Sequence, residues 1–347
     1  MPTLREIAAA AGVSISTASR ALADHEYVND ATRERVKAAA RELGYSRHAT
    51  ASRLRRSKTG TIGFLTPDMR NSSFSSQAAV FLQRELQEYG YGMVTYVSKN
   101  DRETEIQCLE RLRDQEVDGV IHVASSTISS EFLAEGPRPI PVVEMFRQTS
   151  STKLDAVVYD DAIGSATLME HLLNLGHRRI GVLAGPARLE STRRRIAGAQ
   201  RAAEEAGLDP GAVRVAHAPH NPEAGRLAFE KLVREEPRVT AVLATSTQFV
   251  LGAALAARQL GVEIPNQLSL AGFGDPEWNQ LISPSVTAFT LPLEEMAMTA
   301  ALMMVSRIER GQTESRPTRI VFSGTVIPRG STAAPASGVD GAAAPRG

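Results

Sequence analysis

From Thr61 onward, short β-rich runs alternate with amphipathic stretches of helical period, and this alternation restricts the fold more than any other feature of the chain. TIGFLTP (61–67), YGMVTYVS (91–98), VDGVIHVAS (117–125), PVVEMF (141–146), RRIGVLAG (178–185), TAVLATS (240–246) and LSLAGFG (268–274) read as strands. Helical stretches lie between most of them, at 75–89, 102–115, 163–175, 192–206, 222–235 and 248–260. Strands that run the same way need a long crossover, so the pattern predicts βαβ units and parallel sheets. Spread over residues 61–330, it is expected to form two sheets rather than one.

Residues 1–58 are built differently. They hold 11 Lys and Arg against 6 Asp and Glu, whereas the remainder holds 28 against 33. A basic head on an acidic body suggests a polyanion-binding module joined to something else. Leu4, Ile7, Ala8 and Ala11 recur at helical spacing and form one face. Gly12 ends that helix. Ser14 is placed to cap a second, running through Thr17, Ala18 and Ala21 to about Leu22, and Asn29 or Asp30 to cap a third. Val36, Ala39, Ala40 and Leu43 give the third its buried stripe, and Gly44 stands where a left-handed cap is wanted. The first two helices, joined at Gly12–Val13–Ser14, have the arrangement of a helix-turn-helix, whose second helix enters the DNA major groove. That second helix exposes Ile15, Ser16, Ser19 and Arg20. Arginine can read guanine with two hydrogen bonds, and serine can read several bases. Spacing alone leaves open an ordinary helical hairpin with a solvated face.

SRHATASRLRRSKTG (46–60) has five basic residues, Arg47, Arg53, Arg55, Arg56 and Lys58, and one large apolar residue, Leu54. It cannot pack a core alone and reads as a linker that becomes helical when bound. STAAPASGVDGAAAPRG (331–347) reads as a disordered tail, and without Leu or Ile it has no heptad stripe for tetramer formation.

Composition narrows the function. With 42% hydrophobic and 22% charged residues the chain is an ordinary globular protein rather than a disordered one. Cys108 is the single cysteine, which excludes an intrachain disulfide and a cysteine zinc cluster. Charges occupy the N-terminus where a secretory signal has its apolar core, so a cytoplasmic protein is expected. No GxxxxGK[ST], GxSxG, HExxH or strand-following GxGxxG is present. Enzymatic activity, catalytic residues, a metal and a cofactor are therefore not expected. His177 in LGHRRIG reads as a helix-end residue, not as a base.

TLREIAAAAGVSISTASRAL (3–22), VNDATRERVKAAARELGY (28–45), GYSRHATASRLRRSKTGTIGFLTPDMRN, VDGVI, LGHRRIGVLAGP, RRRIAGAQRA, LGVEIPNQLSLAGFGD and PSVTAFTLPLEEM follow one another in an order that resembles the LacI/GalR family of transcriptional regulators, to about Pro335. The resemblance implies an all-α helix-turn-helix head and an α/β two-lobed, periplasmic-binding-protein-like body with parallel sheets. The expected domains are a DNA-binding head (1–46), a hinge helix and linker (47–60) and an effector-binding and dimerisation body (61–330). Within the body an N-lobe would take about 61–161 and 291–318, and a C-lobe about 162–290 and 319–330. Ile15, Ser16 and Arg20 would read bases, and Thr3, Ser14, Thr17, Ser19 and Thr32 would hold phosphates. Residues 48–55 would form the hinge helix, with Leu54 as a minor-groove wedge. Arg47 and His48 replace the family's usual proline and asparagine, which leaves the hinge less pre-organised. The implied partners are a roughly palindromic duplex operator, a small-molecule effector (a sugar or sugar acid) and a second copy of the chain; repression is the expected output. The alternative, a solute-binding protein without enzymatic activity, would need an export signal and has no use for a basic helical head.

Parallel sheets place ligands beyond the carboxyl ends of their strands, and two lobes bring those ends to one cleft. The candidates there are Asn71, Ser73 and Phe74 after the first strand, with Asp68 and Ser72 beside them. Ser125, Phe146 (with Arg147) and Ser246 (with Thr247) follow later strands, as do Asp275 and Trp278. Arg195 matches the family arginine that grips a ligand oxygen. Asp275 would accept two hydroxyls, and Trp278 or Phe74 would stack on a sugar face. Ser246–Thr247, Gly274–Asp275 and Phe146 stand where the family often has carboxylates. Fewer carboxylates beside intact arginines shift the expected ligand towards a sugar acid.

Overall fold

The computed structural model describes residues 4–14, 17, 18, 21, 28–43, 59–69, 73–124, 130–135, 138–147, 153–310 and 316–336. The chain divides into two compact units, Met1–Thr59 and Gly60–Gly347.

In the smaller unit Leu4–Ala10 and Asp30–Glu42 are helices. Gly12 adopts φ +64°, and the Val13 N–H bonds back to the Ala8 carbonyl at 2.9 Å. This is the left-handed cap that a residue without Cβ forms at least cost. Ser14 Oγ accepts the Thr17 N–H at 3.0 Å, and Asn29 Oδ1 accepts the Thr32 N–H at 2.8 Å. Asn29 is thus the cap of the third helix. Ile7, Ala8, Ala11, Ala18, Ala21, Val28, Val36, Ala39 and Ala40 bury one another. Six of these nine are alanines, so the helix backbones lie close together.

The larger unit contains two six-stranded sheets. The first is built from β1 (Thr61–Thr66), β2 (Gly92–Val97), β3 (Gly119–His122), β4 (Val142–Phe146), β5 (Asp155–Tyr159) and β11 (Arg319–Phe322), in the order β2-β1-β3-β4-β5-β11, all parallel. The second is built from β6 (Ile180–Ala184), β7 (Val213–His217), β8 (Ala241–Ala244), β9 (Ser269–Phe273), β10 (Thr287–Thr290) and β12 (Thr325–Ile327). Its order is β7-β6-β8-β9-β10-β12, with β12 alone antiparallel among these strands. Strands β3, β4, β6, β8 and β9 are buried along their whole length, as a parallel sheet covered on both faces requires. The edge strands β2, β7, β11 and β12 carry the exposed positions.

Two expectations are revised. Strand β11 joins the first sheet, on β5, so residues 319–322 belong with the N-lobe and not with the C-lobe to which the boundary at 318 assigned them. The tail does not begin at 331. Ser331 is fully buried; its Oγ accepts the Thr287 N–H at 2.8 Å and donates to the Leu270 carbonyl at 2.5 Å. Ala333 exchanges hydrogen bonds with Ser269 Oγ, and His177 bonds Thr240 Oγ1 and lies 2.9 Å from the Ala333 carbonyl. Small polar side chains here satisfy backbone groups at the entry ends of β9 and β10, a use that composition does not reveal. Residues 337–347 lie outside the described set.

Candidate functional site

Both sheets have the order in which β1, or β6, is flanked on each side by a strand that follows it in sequence. The topology reverses there, and loops leaving the carboxyl ends diverge to open a crevice. One cleft of about 720 Å³, solvent at its mouth included, collects the carboxyl ends of both sheets. The first lobe contributes Pro67 and Asp68 after β1, Phe74 and Ser75 from the helix Ser73–Glu88, Asn100 after β2, Val123 after β3, Phe146 and Arg147 at the end of β4, and Tyr159 at the end of β5. The second contributes Arg195, His220 after β7, Ser246, Thr247 and Gln248 after β8, and Phe273 at the end of β9.

Aromatic rings form much of the first lobe's wall. Phe74 lies 6.1 Å from Phe146 and meets Tyr159 edge-on at 6.2 Å, separations at which ring quadrupoles attract. Phe146 has φ +63° although it is not glycine. The Arg147 N–H bonds to the Met145 carbonyl at 2.7 Å, closing a tight turn about Phe146. Such backbone costs about 1–3 kcal/mol and persists where its surroundings hold it. Its effect is to end β4 abruptly and turn Arg147 into the cleft. Among the described residues, Arg147 makes one hydrogen bond, Nη1 to the Ala124 carbonyl at 3.3 Å. Burial pulls its pKa below the usual arginine value, opposed by Tyr159 and reinforced by the like charge of Arg195.

Arg195, on the helix Glu190–Glu205, is held on several sides. Nε donates to Asp161 Oδ1 at 2.6 Å, Nη1 to the Thr245 carbonyl and Nη2 to the Tyr159 hydroxyl. The guanidinium carbon sits 4.2 Å from the centre of the Phe273 ring. Burial works against its charge, but Tyr159 and Asp161 outweigh that and raise its pKa. Tyr159 ends β5 and Asp161 opens the helix Asp161–Asn174, so Arg195 fastens the first passage of the chain between the lobes. The Tyr159 phenol is itself pushed up, chiefly by burial.

His220 stacks on Phe249 at 5.2 Å and lies over Gly185, where a Cβ would stand 2.4 Å from its Cε1. Burial, then the positive charges of Arg147 and Arg195, bring its pKa down to about 4, so the ring is neutral at pH 7. Asn100 adopts φ +57°, and its buried Oδ1 finds no donor among the described residues.

The candidates divide accordingly. Phe74, Phe146, Arg195 and Ser246 line the cleft together with Asp68, Arg147 and Thr247. Ser246 also caps the helix Thr247–Leu260, accepting the Phe249 N–H at 3.4 Å. Ser73 opens its helix. Asp275 and Trp278 do not line the cleft. Both Asp275 oxygens are taken by Arg329, at 2.7 and 2.6 Å, and Trp278 packs against the second lobe's own core. Asp275 is thus used to hold the segment after β12. Asn71, Ser125 and Ser72 lie outside the described residues, as do Thr3, Ile15, Ser16, Ser19, Arg20 and Leu54 of the DNA-facing set and the hinge itself. Ser14 and Thr17 sit together, their hydroxyls 2.7 Å apart, and Thr32 is half-buried. Tyr159, His220, Asn100, Gln248 and Phe273 were not anticipated. DAVVY, opening on an aspartate, and the mixed VRVAH give weak strand signals, so Tyr159 and His220 at and beyond their ends are not marked by pattern, whereas Asn100 follows a clear strand signal.

Comparison with known proteins agrees with this arrangement. Residues 3–48 match the family model "Bacterial regulatory proteins, lacI family", and residues 169–332 match "Periplasmic binding protein-like domain". The chain is 34% identical to the HTH-type transcriptional regulator reg1 of Streptomyces lividans, over 95% of this chain and 96% of that one. A structure of the regulator CelR in complex with cellobiose has 27% identity and a TM-score of 0.70, covering 95% of this chain and all of that one. The lac repressor dimer bound to operator and the anti-inducer ONPF superposes with a TM-score of 0.83 at 23% identity, covering 96% and 99%, and shares the fold. A helix-turn-helix head on a two-lobed binding body defines a DNA-binding transcriptional regulator, neither an enzyme nor an exported solute-binding protein. The chain belongs to the LacI family. No helix among the described residues is long and apolar enough to cross a membrane.

Proposed function

We propose that this regulator binds a near-palindromic operator in the cytoplasm as a homodimer, that it represses, and that a small metabolite between its lobes sets its affinity for DNA. The carrying observation is a built cleft, walled by both lobes, in the same chain as a matched DNA-binding head. Residues 1–46 bind DNA and 47–60 form the hinge. Ile15, Ser16 and Arg20 read bases; Thr3, Ser14, Thr17, Ser19 and Thr32 fix register on phosphates; Leu54 wedges the minor groove. Two heads then meet half-sites spaced by a helical turn or a multiple of it. Occupying the cleft changes the angle between lobes and so the separation of the two hinges, with a coupling of about 1–3 kcal/mol. The relative that holds cellobiose supports a sugar-like ligand, and Arg147, which has no ion pair among the described residues, favours an acidic one.

Operators selected from random DNA, with and without sugars and sugar acids, test the reading directly. Arg20→Ala should weaken operator binding by about 1–3 kcal/mol and leave nonspecific binding nearly intact. Equal loss on both would remove its base-reading role. An operator affinity indifferent to every cleft occupant would remove effector control.

A further inference from the structure

The cleft holds two guanidinium groups in different states. Arg195 is neutralised by Asp161 and spends its donors on Asp161, Thr245 and Tyr159. Arg147 has a single 3.3 Å bond to a carbonyl among the described residues, and no ion pair with any of them. It is turned inward by strained backbone at Phe146, and strain of that kind persists where it serves a site. Arg147 belongs to the first lobe and His220 to the second, and they line the same cleft. Four charged groups bear on the His220 ring: Arg147 and Asp68 from the first lobe, Arg195 and Arg188 from the second. Phe249 stacks on one side of it, and Gly185 leaves it room.

We propose that the cleft takes a metabolite carrying one carboxylate, which lies between Arg147 of the first lobe and His220 of the second and is bound together with one proton that settles on His220. This deepens the effector reading above and rests on it. An empty cleft cannot keep that proton at pH 7, because burial and the like charges of Arg147, Arg195 and Arg188 oppose it and only Asp68 favours it. A carboxylate inserted between the lobes leaves the ring buried but opposes the like charges and supplies the imidazolium with a counter-charge. It offsets the Arg147 charge and gives the imidazolium an acceptor, so the proton enters from solvent and the anion is held from both sides. Arg147 presents the planar fork that suits a carboxylate. The Asn100 Oδ1, buried in the same cleft with no donor among the described residues, suits a hydroxyl on the same ligand. The bridge closes only when both ends are engaged, which makes it a lobe-closing contact as well as a binding one. The sign follows from linkage. Binding with proton uptake tightens as pH falls from the occupied-site pKa of His220 to the empty-site value near 4, by up to tenfold per unit across that interval, and stops tightening below it.

Acetate, the smallest suitable carboxylate, is the probe. The His220 ring signal of the full-length protein, assigned with His220→Gln, is titrated in sodium acetate, in sodium chloride of equal ionic strength and in inorganic phosphate. Acetate should raise the His220 pKa by about one unit or more beyond chloride. The rise should persist in Arg147→Lys and vanish in Arg147→Gln, whose empty-site His220 should itself titrate higher. The remaining histidine signals report that each variant is folded. A shift no larger than that in chloride, a shift that survives in Arg147→Gln, or a shift with phosphate alone overturns the proposal. If acetate fails while neutral hexoses alter operator affinity, the carboxylate bridge falls and effector control stands.

Discussion

The two lobes repeat one strand order but equip their carboxyl ends in opposite ways. The second lobe ties its functional side chains down. Arg195 has an ion pair and two further hydrogen bonds, Asp275 is spent on Arg329, Ser246 caps a helix and His220 is stacked between a ring and a glycine. Among the described residues the first lobe leaves its own side chains under-engaged: Arg147, on strained backbone, has one long hydrogen bond, and the Asn100 oxygen has no donor. The difference teaches a division of labour. A pre-organised half loses little entropy on binding, and a half with unmet donors and acceptors has more to gain from the right ligand. On the proposed reading, selectivity resides in the first lobe and rigidity in the second.

Three substitutions would break or sharpen this contrast. The largest effect is expected at Arg195. Arg195→Met leaves Asp161, 8% exposed, as a nearly buried charge without its partner. That should cost about 3–5 kcal/mol in urea unfolding of the body. A loss below about 1 kcal/mol would mean that Arg195 is as free as Arg147 and would erase the distinction between lobes. Next is Asp275→Ala, which strands the Arg329 guanidinium, 13% exposed. It should destabilise by about 2–3 kcal/mol with or without any sugar, whereas a ligand-contacting carboxylate would leave the empty protein's stability unchanged. Smallest is Ser246→Ala. Its cap bond is long, so about 0.5–1 kcal/mol should be lost, together with fraying at the start of Thr247–Leu260 by hydrogen exchange.

Among its described residues the head was largely legible, because its determinants are local; the exception is Leu43, read into the buried stripe but 40% exposed at the end of the third helix. A glycine ends one helix, a serine begins the next, and alanines at helical spacing form the stripe between them. The central strands were legible for a similar reason: buried on both faces, they read as continuous apolar runs. The edge strand β7 is half-exposed and mixed, and β5 is a five-residue run opening on an aspartate, so neither stood out. The cleft was half legible. That residues beyond strand ends would face it follows from topology, and Phe74, Phe146, Arg195 and Ser246 do so. Which strand-end side chains remain available did not follow. Asp275 has the right type and place, yet Arg329, 54 positions away in sequence, claims it first.

By itself the sequence determined the helices and the central apolar strands and which of their faces turn inward, since caps, turns and periodicity act over a few residues. It also determined the pairing of a basic helical head with a parallel-sheet body. Tertiary structure alone decided which sheet received residues 319–322, which carboxylates were consumed in ion pairs, and that a histidine and an arginine from different lobes face one cleft. Those outcomes depend on distances between segments far apart in the chain, and a guanidinium or a carboxylate bonds to whatever folding brings within reach.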